Sequence, residues 1–163
     1  MSTAAAGAES ADDQPETTAA RPGEPTVLHH RRFPGLASQI RHARNFVVRS
    51  VGEIPELTTA VLLTSELATN AVMHTFSGYS GGKFEVTVRL GQTWLRVEVH
   101  DLGSCQTPHA LHRDPCNTQE HGRGLDLVAA MATRWAVDPR EDGLGYLVWF
   151  ELSWDINENT DTR

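Results

Sequence analysis

Residues 83–103 read KFEVTVRLGQTWLRVEVHDLG, and apolar and polar residues alternate along them. Phe84, Val86, Val88 and Leu90 point one way. Leu95, Val97 and Val99 follow after a short turn containing Gly91. A period of two over this length is the pattern of an antiparallel hairpin with one buried face. Asp101 keeps the inward parity of the second strand. A carboxylate on the buried face at a strand end is costly unless it meets a partner.

Upstream lies SELATNAVMHT, residues 65–75. It closes an apolar run whose helix is expected to start around Pro55, a residue suited to a first helical turn, and to end near His74. Glu66, Asn70 and His74 recur every four residues, so they share one stripe of that helix. Earlier still, LASQIRHARNFVVRS (36–50) sets Leu36, Ile40, Ala43 and Val47 at helical spacing, with Arg41, Arg44 and Arg49 largely off the stripe. VLHHRRF (27–33) reads as a short edge strand, and SGYSGG (77–82) as a flexible break.

Downstream, residues 104–121 are polar and irregular, with two prolines. A loop of this length is usually functional or mobile. GRGLDLVAAMATRW (122–135) reads as a glycine turn opening a helix. WAVDPREDGLGYLVWFEL (135–152) reads as a second hairpin with an apolar return strand from Tyr146 to Leu152. The resulting order is strand, helix, helix, hairpin, loop, helix, hairpin. Grouped helices and paired strands indicate an α+β fold: a two-layer sandwich with a mixed, mostly antiparallel sheet and helices on one face.

The chain of 163 residues suits one domain, expected over residues 26–153. Residues 1–25 hold almost no large apolar side chain and are expected to be a disordered tail. Residues 154–163 are expected to be loose. The net charge of -7 argues against general affinity for the phosphate backbone of nucleic acid. No apolar run approaches a membrane span, and the N-terminus lacks a secretory pattern, so a cytoplasmic protein is expected. Cys105 and Cys116, the two cysteines, read as free thiols.

Three chemical features follow one another. Glu66, Asn70 and His74 lie on one helix. Asp101 and Gly103 end a strand. Gly122, Arg123, Gly124 and Leu125 open a helix. Glycines at a helix start let backbone approach a ligand, and the free N–H groups there suit phosphate. The pattern is not a dinucleotide fingerprint, because the third glycine is missing and no strand immediately precedes it. An Asn oxygen suits Mg²⁺, and a carboxylate one turn away can accept a proton. Each feature alone reads as an ordinary structural detail; the ordered set does not.

The chain resembles the small serine-kinase anti-sigma factors of the GHKL (Bergerat-fold) ATPase superfamily. ELATNAVMHT is similar to the N box, DLG to the G1 box and HGRGLDLV to the G2 box, and the likeness runs from about Val27 to Leu152. It implies ATP and Mg²⁺ as cofactors. Asn70 would hold Mg²⁺, Glu66 would be the general base, and Asp101 would read the adenine amino group. Gly103 would lie against the base, and Gly122, Arg123, Gly124 and Leu125 would form the phosphate-side turn. Residues 104–121 would be the ATP lid. The implied partners are a sigma factor and a STAS-type antagonist phosphorylated on serine or threonine, with no nucleic acid or membrane contacted and a homodimer compatible.

Two departures from the family pattern stand out. Gly145-Tyr146-Leu147 replaces a glycine followed by Lys-Thr or Thr-Thr, and Ser104-Cys105-Gln106 replaces a glycine-proline pattern. They leave open a second reading: a regulatory binding module of the same fold that does not transfer phosphate. Cys105, His109, His112 and Cys116, followed by His121, carry zinc-ligand chemistry. Their spacing matches no common zinc module, and an accident of composition is the better reading.

Overall fold

The computed structural model describes residues 25–104 and 123–155. β1 (Val27–Pro34) leads into α1 (Ala37–Val51) and α2 (Leu57–His74), and a single 3₁₀ turn (Phe76–Gly78) follows. β2 (Lys83–Leu90) and β3 (Trp94–His100) form the first hairpin. α3 (Arg123–Met131), β4 (Arg134–Pro139) and β5 (Tyr146–Ser153) complete the order. The sheet runs β1-β2-β3-β5-β4. All four pairings are antiparallel, so no parallel pair is present among the described residues and the expected mixed sheet is antiparallel instead. The chain leaves β3, passes through α3 to the far edge, and returns along β5 between β3 and β4. Because β5 runs back as the second arm of a hairpin, it meets β3 antiparallel.

The alternation in residues 83–103 decides which face is core. Phe84, Val86, Val88, Leu95, Val97 and Val99 are all buried, and Phe150 and Leu152 of β5 join them. Phe33 stacks on Phe84 at 5.3 Å between ring centroids and meets Phe46 of α1 edge-on at 5.9 Å. α1 buries Ala43, Val47 and Val51 against this layer. α2 buries Ala60, Leu63, Leu67, Ala68 and Ala71, a spacing of three and four residues that keeps one face inward. α2 starts at Leu57, two residues after Pro55, which sits in the preceding turn.

One further expectation changes. The break at residues 77–82 is a packed turn: Ser77 is fully buried, and Gly82 donates to the Tyr79 carbonyl at 2.7 Å. Residues 1–24, 105–122 and 156–163, which hold most of the tail and lid expectations, the cysteine and histidine cluster and Gly122, lie outside the described residues; Trp154, at the start of the expected loose tail, donates to the Thr93 carbonyl at 3.0 Å. No described helix is long and apolar enough to cross a membrane.

The other face of the sheet is a ladder of charges. Glu151, 2% exposed, lies between Arg96 at 2.6 Å and Arg134 at 2.7 Å. Glu98 meets Arg89 at 2.9 Å and His100 at 3.6 Å. The Arg96 guanidinium also covers the Trp149 ring at 3.9 Å, an arrangement that favours the cation. Burial by itself raises the Glu98 carboxyl, but its His100 and Arg89 neighbours outweigh this and hold it below the ordinary value of 4.5.

A carboxylate held below its unfolded value contributes stability above that value and loses it as the pH falls. Urea unfolding of the wild type between about pH 3 and about pH 7 should therefore show a drop on the acid side that Glu98→Gln flattens. Parallel profiles for the two proteins would refute this role for Glu98.

Candidate functional site

Glu66, Asn70 and His74 sit one residue behind the buried Leu67 and Ala71, about 100° round the helix. The stripe thus runs along the border of the core. Glu66 and Asn70 are half-buried, and His74, in the last turn, is exposed. The border faces α3. A Cβ placed on Gly124 would lie 2.8 Å from Glu66 Oε2 and 3.4 Å from Asn70 Nδ2. Only glycine lets the first turn of α3 come this close. Leu125 packs against the core behind it and anchors that turn. Arg123 opens α3. A carboxylate, an amide and a helix N-terminus therefore converge at one point. Two of them supply oxygen, and the third supplies backbone N–H groups.

Asp101 lies just past the end of β3 and is 7% exposed. Its Oδ1 accepts the Gly103 N–H at 2.6 Å and the Tyr146 N–H at 3.2 Å. Its Oδ2 takes no hydrogen bond from the described residues. The backbone around it is held as well: the Asp101 N–H donates to the Tyr146 carbonyl at 2.9 Å, and Arg140 donates to the Asp101 carbonyl at 3.3 Å. Arg140 is itself fixed by Asp142, at 3.0 and 2.6 Å. Gly145 makes this packing possible. A Cβ there would lie 2.5 Å from the Gly103 nitrogen and closer still to the Asp101 carbonyl oxygen, and its φ of 136° is strained for any other residue.

Burial pushes the Asp101 carboxyl above its ordinary value of 3.8, and the hydrogen bonds from Gly103 and Tyr146 offset this only in part. The group is a buried acceptor with one oxygen committed to backbone and the other without a hydrogen bond from the described residues. That suits recognition of an exocyclic amine. The donor sets also fit the implied cofactors: oxygen from Glu66 and Asn70 for Mg²⁺, and N–H groups of α3 for phosphate. Sequence reasoning noticed residues 145–147 only as a departure in side chains. The close packing of Gly145, the backbone donor of Tyr146 and the brace from Arg140 were missed. The glycine pair Gly143 and Gly145 is the one local signal of a tight approach there.

Two substitutions separate packing from charge. Gly145→Ala should destabilise the fold by about 2 kcal/mol in chemical unfolding. Asp101→Asn keeps an oxygen for both N–H donors and removes a buried charge. The folded pKa of Asp101 lies above the unfolded one, so its ionisation opposes folding as the pH rises from 3.8 through the folded value. The Asn variant should melt at or above the wild-type temperature at neutral pH; a large drop would mean that the charge itself holds the strand end.

No curated protein matches the chain closely enough to count as a relative. The family model for the histidine kinase-like ATPase domain matches residues 33–151, most of the chain, and spans both the α2 stripe and the Asp101 strand end. With the two-layer fold and its antiparallel sheet, this makes the chain a member of the histidine kinase-like ATPase domain family, an ATP-binding domain of the GHKL fold.

Proposed function

We propose that the chain is a Mg-ATP-dependent serine/threonine protein kinase that also acts as an anti-sigma factor. Its substrate would be a STAS-type antagonist, and its effect the regulation of transcription in the cytoplasm. The observation that carries this reading is the approach of Gly124 to Glu66 and Asn70, which sets a proton acceptor beside a metal-binding amide at a helix N-terminus.

ATP, when bound, supplies the phosphoryl group. Asn70 would hold Mg²⁺ through its side-chain oxygen. Glu66 accepts the proton of the attacking serine or threonine hydroxyl. A modest catalytic push is enough, because phosphoryl transfer depends mainly on positioning and charge neutralisation. Asp101 would accept a hydrogen bond from the adenine amine on Oδ2, the oxygen that takes none from the described residues.

One observation favours the second reading, a binding module without transfer. Tyr146 and Leu147 stand where the family pattern has Lys-Thr or Thr-Thr, whose threonine hydroxyl would support the nucleotide. Glu66 and Asn70 favour the kinase.

Two measurements test these readings. Mg-ATP should raise the melting temperature of the wild type, and Asp101→Ala should abolish the shift; no wild-type shift at millimolar ATP would sink the nucleotide reading. Label from γ-labelled ATP should reach a serine of the antagonist, recovered from native lysate with the tagged protein. Glu66→Ala should block that transfer and leave ATP binding intact. Binding without transfer to the recovered partner would establish the module instead.

A further inference from the structure

α2 carries the proposed metal and proton residues, and the Asp101 loop carries the proposed base contact. These two walls come from separate parts of the chain, yet a nucleotide needs them at a fixed separation. One run of hydrogen bonds joins them. Thr75 leaves α2 in an extended conformation, five residues after Asn70. Its Oγ1 donates to the Ala71 carbonyl at 2.6 Å, so it stays tied to the last turn of the helix. The same oxygen accepts the Ser77 N–H at 3.0 Å. Ser77 is fully buried, and its Oγ accepts the Leu102 N–H at 2.9 Å. Beside it, the Phe76 N–H donates to the Gly103 carbonyl at 2.7 Å. The two residues that follow Asp101 are therefore held by the 3₁₀ turn on one side, while Tyr146 holds Asp101 from the other.

We propose that Ser77, itself placed by Thr75, is a positioning residue that sets the base-reading Asp101 against the Asn70 and Glu66 wall. The inference rests on the nucleotide-binding reading of the site. Residue type at both positions fits the role. At residue 77 the space is closed and an acceptor is needed, which serine meets with a small side chain. At residue 75 one hydroxyl must donate to the helix and accept from the turn at once, which threonine and serine can do and valine cannot. Leu102 N–H loses its protein acceptor in Ser77→Ala, and the loop then has reason to shift.

Adenine presents an amine where guanine presents a carbonyl. A carboxylate attracts the first and repels the second, so a well-placed Asp101 separates the two nucleotides. Loosening the loop should shrink that separation without touching the phosphate wall. The test is the dissociation constant of Mg-ATP, Mg-GTP and Mg-tripolyphosphate for wild type, Ser77→Ala, Thr75→Val and Thr75→Ser, each shown by circular dichroism to be folded. Ser77→Ala should weaken Mg-ATP roughly tenfold, weaken Mg-GTP much less, and leave Mg-tripolyphosphate unchanged. Thr75→Val should act in the same direction, and Thr75→Ser should restore the wild-type ratio. If Ser77→Ala does not fold, the Thr75 pair makes the same comparison. Folded variants with the wild-type ATP-to-GTP ratio overturn the positioning role alone. A wild-type protein that binds neither nucleotide overturns the base-reading function, and this inference with it.

Discussion

A carboxylate that is 7% exposed at the end of a strand has lost most of its water, and only donors in the protein can replace it. For Asp101 the donors are backbone N–H groups, from Gly103 two residues on and from Tyr146 on the neighbouring strand. Backbone donors cannot reach far. β5 must therefore enter the sheet tightly against the end of β3, which requires Gly145. The sharp turn from residue 139 to residue 146 then brings Arg140 back onto the Asp101 carbonyl. The strand order follows the same logic. β5 lies between β3 and β4, so the last hairpin delivers its turn to the place where Asp101 needs it.

The sheet separates two kinds of stabilisation. Its inner face is dry and apolar, and the helices cover it, so the stripe of Glu66 and Asn70 can exist only at the margin where α2 turns from the sheet towards α3. The outer face places Glu98 and Glu151 beneath long arginine side chains. Those arginines shield the carboxylates from water with their stems and neutralise them with their heads. Polar chemistry is thus kept from the centre of one face and largely charge-paired on the other, which leaves the margin as the place for a ligand.

The parts legible in the sequence are those whose cause is local. Alternation over residues 83–103 predicts the hairpin, its inner face and the inward parity of Asp101, because a strand repeats every two residues whatever it pairs with. The four-residue spacing of Glu66 and Asn70 predicts their shared stripe for the same kind of reason. What stays hidden depends on partners distant in the chain. Nothing near residue 77 announces that its hydroxyl meets residue 102, and a stretch rich in glycine and serine reads as a flexible link until tertiary packing closes on it. Glu151 looks like an outward strand residue, and only the arginines of two neighbouring strands bury it. The antiparallel pairing of β3 with β5 is likewise a property of topology, since the strand between them in sequence ends up at the edge.

The replacement at residues 146 and 147 bears differently on the two steps of the proposed reaction. Side chains there change, but the groups that hold Asp101 are the N–H and carbonyl of Tyr146, which any residue except proline supplies in full. The proposed recognition of the base would therefore be insulated from this departure. Support on the phosphate side is not, because it would come from a hydroxyl that Tyr146 and Leu147 do not place as threonine would. On the proposed reading, base recognition and phosphate transfer would thus be separable in this chain. Base recognition would rest on Asp101 and on the backbone and Gly145 that hold it, whereas transfer would rest on Glu66, Asn70 and the close approach of Gly124. A protein that kept the first and lost the second would still fold the same way, since neither Glu66 nor Asn70 belongs to the buried stripe that packs α2 on the sheet.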